Sequence, residues 1–492
     1  MQHPPTLALF LPTVVLASVS NEPRLGFFLK SASIPSNLSI PSSAARVLEG
    51  TAHFRVIPGF FPQGMGFHFD GLATVLKLEF FDGSMELSLK KFESEAGMSY
   101  EKCNFFGTGT GPTSARTNIC FQNPGVNILP IQSQLWLTTD TNAWGRINPA
   151  SLDAIPAKVK TINQILNAHP ACDHVSKECF VQHPCTAQPM GSSVCFSELK
   201  TSPNGIDLEI DTFASGRMNA SAILQHSHSP CVTPNYVVSK LDRFELRNPF
   251  NQNSGLLRFV SQGMSNSWFI ASRPGSNHHA SRVTYSKEAF VNNHFMNCFE
   301  NDQGKVVVDL IATTDLYLDT YFLHSLKKPA PWTQIFAPPL RCIVDPFEGD
   351  VECEELLPQD PNLYLDYPTF NPLWKMRPDS EFVYAIAAEG SSQWFDRIIK
   401  IDSKTQRIVD DYQAEGTYFT EPSFIPGSKA KYEEDDGYLL SISFSKITNS
   451  SFVTILHASS FEILEELPLP GLIPFHAHGV SCIHELGCFA NP

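Results

Sequence analysis

The stretch "ATVLKLEFFDGSMELSLKKF", residues 73–92, decides the fold class. Two runs rich in aliphatic, aromatic and alternating polar residues flank an Asp-Gly pair, the sequence signature of a β-hairpin with a tight two-residue turn. The same pattern recurs along the chain from about residue 45. It appears in "TAHFRVIPGFF", "GKVVVDLIAT", "FVYAIAA", "DRIIKIDSKTQRIVDDY", "GYLLSISFSKI" and "FVTILHASSFEILEELPL". The segments "DSKTQ" and "KITNSS" read as further hairpin connections. Helical periodicity is scarce, and its best instance, "NPASLDAIPAKVKTINQILN" at 148–167, is interrupted by Pro156. Many short strands without βαβ alternation indicate an all-β sandwich, barrel or propeller. For a body of this length with no break in composition, a propeller is the architecture that scales, because blades are added radially.

Bulk properties narrow the function. The 492 residues carry a net charge of −15, which disfavours a nucleic-acid binder, since phosphate affinity rests on clustered Lys and Arg. Hydrophobic residues make up 42% and charged ones 17%, so a large core is expected and extensive disorder is not. Residues 1–20 hold one apolar run ending in small residues and read as a signal peptide. Residues 21–44, rich in Ser and Pro, read as a tether or transit-like segment, and 45–492 as a single domain. Passage into the secretory route, to an extracellular or lumenal site, is the expectation. Plastid delivery through a two-part leader is the alternative.

Twelve cysteines in so long a chain are too sparse for a disulfide scaffold. Close pairs such as Cys342/Cys353 and Cys482/Cys488 suit bridges in an oxidising lumen. Cys172, Cys179, Cys185 and Cys195, with His174 and His183, suggest zinc, but their spacings match no familiar ligand pairing, which favours a disulfide-tied or reduced loop.

Among sixteen histidines, four lie in strand-like or strand-end contexts beside apolar or turn residues: His169, His228, His294 and His478. A propeller converges the inner ends of separate blades on one axis, so ligands scattered this widely still meet. Neutral imidazoles suit zinc, copper, iron or nickel. Composition and spacing go no further.

Eight segments in one order resemble the motifs of the carotenoid cleavage oxygenases, the family of the β-carotene oxygenases and the retinal pigment epithelium isomerohydrolase. They are "FHFDGLATVLKLEF" (67–80), "TTDTNAWGRINPASLD" (138–153), "NAHPACD" (167–173), "HSPCVTPNY" (228–236), "HFMNCFEND" (294–302), "LDYPTFN" (365–371), "FTEPSFIPGSKAKYEEDDGYLLS" (419–441) and "IPFHAHGV" (473–480). The resemblance implies a seven-bladed propeller with a small helical or loop cap over an axial metal site. It implies His169, His228, His294 and His478 as ligands of one Fe(II), with His476 a packing neighbour rather than a ligand. Asp140, Asp366 and Glu421 are then expected to hold the distal nitrogens of His228, His294 and His478, as ligating histidines require. Two of them are Asp where relatives commonly carry Glu. Thr139 matches a threonine near the open coordination side, where it restricts how dioxygen sits.

The activity implied is oxidative scission, with O2 as co-substrate, of a conjugated C=C bond in a carotenoid or apocarotenoid, giving aldehyde or ketone products. Retinoid isomerohydrolysis, stilbene cleavage and non-catalytic polyene binding use the same scaffold. "RNPFNQNSGLLRFV" (247–260), with Phe250, Leu256, Leu257 and Phe259, falls near the expected apolar mouth and predicts peripheral association with a membrane surface.

Overall fold

Asp82 and Gly83 adopt φ of +49° and +73°, the left-handed conformations a tight hairpin turn needs, and join strand Leu72–Phe81 to strand Ser84–Lys91. In this computed structural model the described residues are 27–28, 31–60, 68–93, 123–161, 165–185, 193–218, 224–246, 257–260, 266–321, 325–326, 331–390, 392–483 and 487–490. The other two expected hairpins also form. Arg397–Asp402 turns into Arg407–Gln413, and Gly437–Ser445 into Ser450–His457.

The strands build six sheets, one of ten strands. That large sheet divides where Ser281–Ser286 meets Asp350–Glu355 in a short parallel pairing, Tyr285 opposite Asp350. Everything on either side of the join is antiparallel. Seven blades result, antiparallel but for one short parallel pairing of Val159–Lys160 with Leu208–Arg217, each following the last along the chain. The ring is closed by strand Gly479–Ile483, which pairs with Thr51–Phe60 in the first blade, Val480 opposite Phe54. Radial repetition of this kind leaves an edge on each blade but closes the ring between the first blade and the last.

Position in a blade explains strand composition. Val306–Thr313 and Leu363–Thr369 are buried along their whole length between neighbouring blades, and so tolerate near-continuous apolar sequence. Arg407–Gln413, last in its sheet, alternates between exposed and half-buried residues. Apolar clusters fill the wedges between blades; one packs Ile128, Leu137 and Val480 with Phe54 and Val75.

Residues 148–167, whose helical periodicity Pro156 interrupts, form no helix where they are described. Asn148 accepts backbone N–H bonds from Ala150 and Ser151 to make a turn, and two short strands, Ala154–Ile155 and Val159–Lys160, flank Pro156. The described part of 21–44 is body rather than tether. Strand Asn37–Pro41 pairs with Ser84–Lys91 as an edge strand, and Phe27 and Phe28 are buried against Phe444, Phe475 and Trp394. Its Ser and Pro suit an edge, where unpaired N–H groups face outward. Residues 1–20 lie outside the described residues, as do 247–256 of the apolar segment. No described helix is long and apolar enough to cross a membrane. The described helical turns, such as Leu318–Tyr321 and Trp332–Ile335, are single turns between strands.

Five disulfides form among the described cysteines. Cys172–Cys179, Cys342–Cys353 and Cys482–Cys488 each join residues directly opposite in antiparallel register, with Cα separations of 4.0, 4.0 and 3.9 Å. Cys185–Cys195 completes the pairing of the four-cysteine cluster, which therefore offers no thiolates to zinc.

Candidate metal centre

Each of the four histidines stands at or near the start of an inner strand. His169 precedes Ala171–Cys172, His228 precedes Pro230–Val232, His294 lies within Val291–Glu300, and His478 precedes the closing strand Gly479–Ile483. Four blades thus deliver one imidazole each. Their ligating nitrogens all lie within 4.8 Å of one another. His169 is the hub, its ring centroid 4.1 Å from that of His478, 4.7 Å from His228 and 5.3 Å from His294. The supporting strands are tied together locally. His169 N–H donates to the His228 carbonyl at 3.3 Å, and the Ser229 hydroxyl to the Asn293 carbonyl at 2.6 Å. The Cys231–Cys298 disulfide joins the strand after His228 to the strand carrying His294.

Three carboxylates stand behind the ring. His228 Nδ1 lies 2.9 and 3.1 Å from the two oxygens of Asp140, His294 Nδ1 2.6 Å from Asp366, and His478 Nδ1 2.9 Å from Glu421. Each pair fixes the proton on Nδ1 and leaves Nε2 facing inward. The shorter Asp366 arm is met by the backbone. The ladder shifts register between Asp366 and Thr369, and Tyr367 in that bulge takes φ +53°. Bulges re-aim side chains in this way. Asp366 also accepts from the Tyr317 hydroxyl at 2.6 Å and from Tyr367 N–H at 2.8 Å. Asp140 accepts from Ala168 N–H at 3.1 Å.

Two supports are not among the motif residues. Among the described residues no carboxylate stands behind His169; the Asn127 amide lies 3.1 Å from its Nδ1. Nothing in "VNILPI" marks that Asn. The second is Arg55, fully buried in the first blade. Its guanidinium donates to Glu421 Oε2 and the Ala477 carbonyl, both at 3.0 Å, to Ser423 Oγ at 3.0 Å and to the Glu421 carbonyl at 2.5 Å, while Nε donates to His53 at 2.8 Å. Burial pulls Arg55 down to about 10 against the opposing pull of Glu421, so it stays charged at neutral pH. A lone arginine inside the apolar strand "TAHFRVIPGFF" was its signal, because a buried cation needs a partner. Arg55 also explains the glycine after the last ligand. A Cβ at Gly479 would lie 2.6 Å from Arg55 Cδ and Nε.

His476 points elsewhere. It is buried, its Nδ1 donates to the Pro474 carbonyl at 3.0 Å, and burial next to Arg55 lowers it to about 3. The Thr139 carbonyl accepts the Trp144 indole N–H at 2.9 Å, and Thr139 adjoins Asp140 in the chain.

The arrangement fits a divalent ion. Burial holds His169 and His478 well below their ordinary pKa, with neighbouring histidines adding to the effect, so both are neutral donors at physiological pH. His228 is opposed by burial but lifted by Asp140. The Nε2 atoms of His169 and His294 are buried without a hydrogen-bond partner, a costly condition that a metal relieves. Charge closes as well. Three carboxylates exceed a divalent ion by one negative charge, and Arg55 supplies the missing positive one.

Comparison with known proteins agrees with this geometry. The family model described as retinal pigment epithelial membrane protein (RPE65) matches residues 40–480. The mitochondrial carotenoid-cleaving dioxygenase of Mustela putorius furo is 26% identical over 73% of this chain and 74% of its own length. The beta,beta-carotene 15,15'-dioxygenase of Mus musculus is 23% identical over 91% of this chain and 89% of its own. Among solved structures, a mutant of Synechocystis apocarotenoid oxygenase superposes with a TM-score of 0.73 at 20% identity, covering 94% of this chain and 98% of that one. Pseudomonas brassicacearum lignostilbene dioxygenase gives 0.74 at 17% identity, covering 92% and 96%. With the motifs in order, the blades in register and the family model spanning nearly the whole body, the chain belongs to the RPE65/carotenoid cleavage oxygenase family.

Proposed function

We propose that the chain is an iron(II)-dependent dioxygenase that cleaves one conjugated C=C bond of a carotenoid or apocarotenoid with O2, giving two carbonyl products. The observation that carries this reading is the ring of four imidazoles braced by Asp140, Asp366 and Glu421. Iron(II) held by His169, His228, His294 and His478 would supply the redox chemistry that dioxygen addition to an alkene needs. The chain's own residues do the rest. The carboxylates keep the Nδ1 protons in place and orient the rings, and Arg55 balances Glu421. Thr139, beside Asp140, is proposed to restrict how dioxygen sits on the open side. One oxygen atom enters each fragment, so the alkene and O2 are fully accounted for in two C=O groups.

Expression in a carotenoid-accumulating bacterial host, with 18O2 labelling of the products, tests the reading. Labelled aldehydes or ketones are expected. A protein with one iron per chain that consumes no O2 and releases only an isomerised retinol would instead be an isomerohydrolase. Preferred turnover of a hydroxystilbene would move the substrate class towards that of the lignostilbene enzyme.

We further propose that the protein works in an oxidising compartment of the secretory route. All ten described cysteines are paired in five disulfides, a density that reducing cytosol does not sustain. Substrate uptake from a membrane surface is proposed for the apolar segment 247–260; replacing Phe250, Leu256, Leu257 and Phe259 by Ser should abolish liposome association.

A further inference from the structure

A cavity of about 760 Å³ lies against His169 and is lined by residues of six of the seven blades, which places it on the propeller axis. It sits on the downstream side of the histidine ring. The lining includes Pro170–His174 after His169, Pro230 and Cys231 after His228, and Phe295, Asn297 and Cys298 after His294. Its size suits a ligand of some twenty heavy atoms.

The charge inside runs against that of the chain. In a protein of net charge −15, the cavity lining holds Lys375, Lys177, Arg146 and His174, and its one acid is Asp173. That acid is committed elsewhere, 3.0 Å from the Arg273 guanidinium. Arg146 is likewise engaged, by the carbonyls of Gly205 and Ile206. Lys375 has no ion-pair partner among the described residues, and burial pulls it down to about 8 while the more distant Asp173 opposes. A half-buried cation lining a mainly apolar cavity without a counter-charge carries a desolvation cost, and an anion entering the cavity reduces it. Leu129, Ile147, Ile155 and Phe370 supply hydrocarbon wall, beside the uncharged polar side chains of Gln132, Gln134, Asn148 and Asn297.

We infer that this axial cavity binds an amphipathic monocarboxylate, the carboxylate on Lys375 and the hydrocarbon body against Leu129, Ile147 and Phe370. The cavity abuts the ring of imidazoles only at His169, and binding there requires no turnover, so it is tested independently of the proposed activity.

Calorimetric titration of the full, iron-loaded chain with decanoate and with decanol tests it. Decanoate should bind at one site per chain and decanol at least about tenfold more weakly, the worth of one charge-assisted contact. Lys375→Met should bring decanoate down to the level of decanol, and Lys375→Arg should keep the preference, with iron content unchanged in both. Equal binding of the acid and the alcohol by the unmodified protein would overturn the inference without recourse to any variant. So would a preference that survives Lys375→Met.

Discussion

Replacing Arg55 by Met is the sharpest probe of the centre. Methionine matches the aliphatic stem but removes the guanidinium that donates to the Glu421 carboxylate, two carbonyls, Ser423 and His53. Both members of the Arg55–Glu421 pair are buried, at 0% and 1% exposure, so solvent does not screen the loss. Removing one partner of such a pair costs about 3–5 kcal/mol, most of it the charge left unmatched on the other. Removing that charge too should recover much of the loss. Urea denaturation followed by tryptophan fluorescence should therefore show Arg55→Met destabilised by about 3–5 kcal/mol, and Arg55→Met with Glu421→Gln destabilised by less than the sum of the singles. A coupling of at least about 2 kcal/mol is expected, close to the upper range for contacting residues. Iron content, measured in parallel, should fall in Arg55→Met, because Glu421 also orients His478. A cost below about 1 kcal/mol, or strictly additive singles, would show that Arg55 does not balance the centre.

Other outcomes follow from the same geometry. His294→Ala should lose iron and turnover while keeping the β-rich circular dichroism spectrum, whereas His476→Ala should keep most of its iron; equal loss in both would reassign the C-terminal ligand. Gly479→Ala should destabilise and reduce iron content, since its Cβ would meet Arg55 at 2.6 Å, and a neutral result by thermal melting would contradict that contact. His68 and His476 titrate at 6.5 unfolded but only at about 4 and about 3 when folded, because burial disfavours their charged forms. Below pH 6.5 the unfolded chain binds more protons, so stability present above that pH is lost on acidification, by up to about 1.4 kcal/mol per pH unit for each histidine. Urea midpoints from pH 7 down to 4 check this, and a flat profile would refute it. Alkylation without reductant should modify none of the ten paired cysteines, and free thiol at Cys342 or Cys353 would argue against the compartment proposed.

The four histidines that converge and the three carboxylates behind them were legible because each sits in a short motif whose chemistry demands that residue type. Arg55 was half legible, as a charge in an apolar strand, but its partner Glu421 lies 366 positions away and no local pattern links them. Asn127 was invisible, since a neutral amide in an apolar run carries no mark of its own. The hairpins at Asp82-Gly83 and 402–407 could be read from turn chemistry alone. The number of blades could not, because strand lengths vary and two blades fuse through Ser281–Ser286 and Asp350–Glu355. In residues 148–167 Pro156 marked the break in helical periodicity, but the Asn148 turn and the two short strands that flank the proline carried no clear signal of their own.

The order in which the chain supplies its pieces has a bearing on how the enzyme matures. His478 arrives one residue before the strand that seals the ring, some 309 positions after His169. Until that strand docks on Thr51–Phe60, the nascent polypeptide holds at most three of the four imidazoles in place. Capture of a metal ion by all four imidazoles therefore waits on the docking of that strand. A stop codon shortly after position 479 would preserve every ligand in the gene yet yield a product with no latch to hold them together.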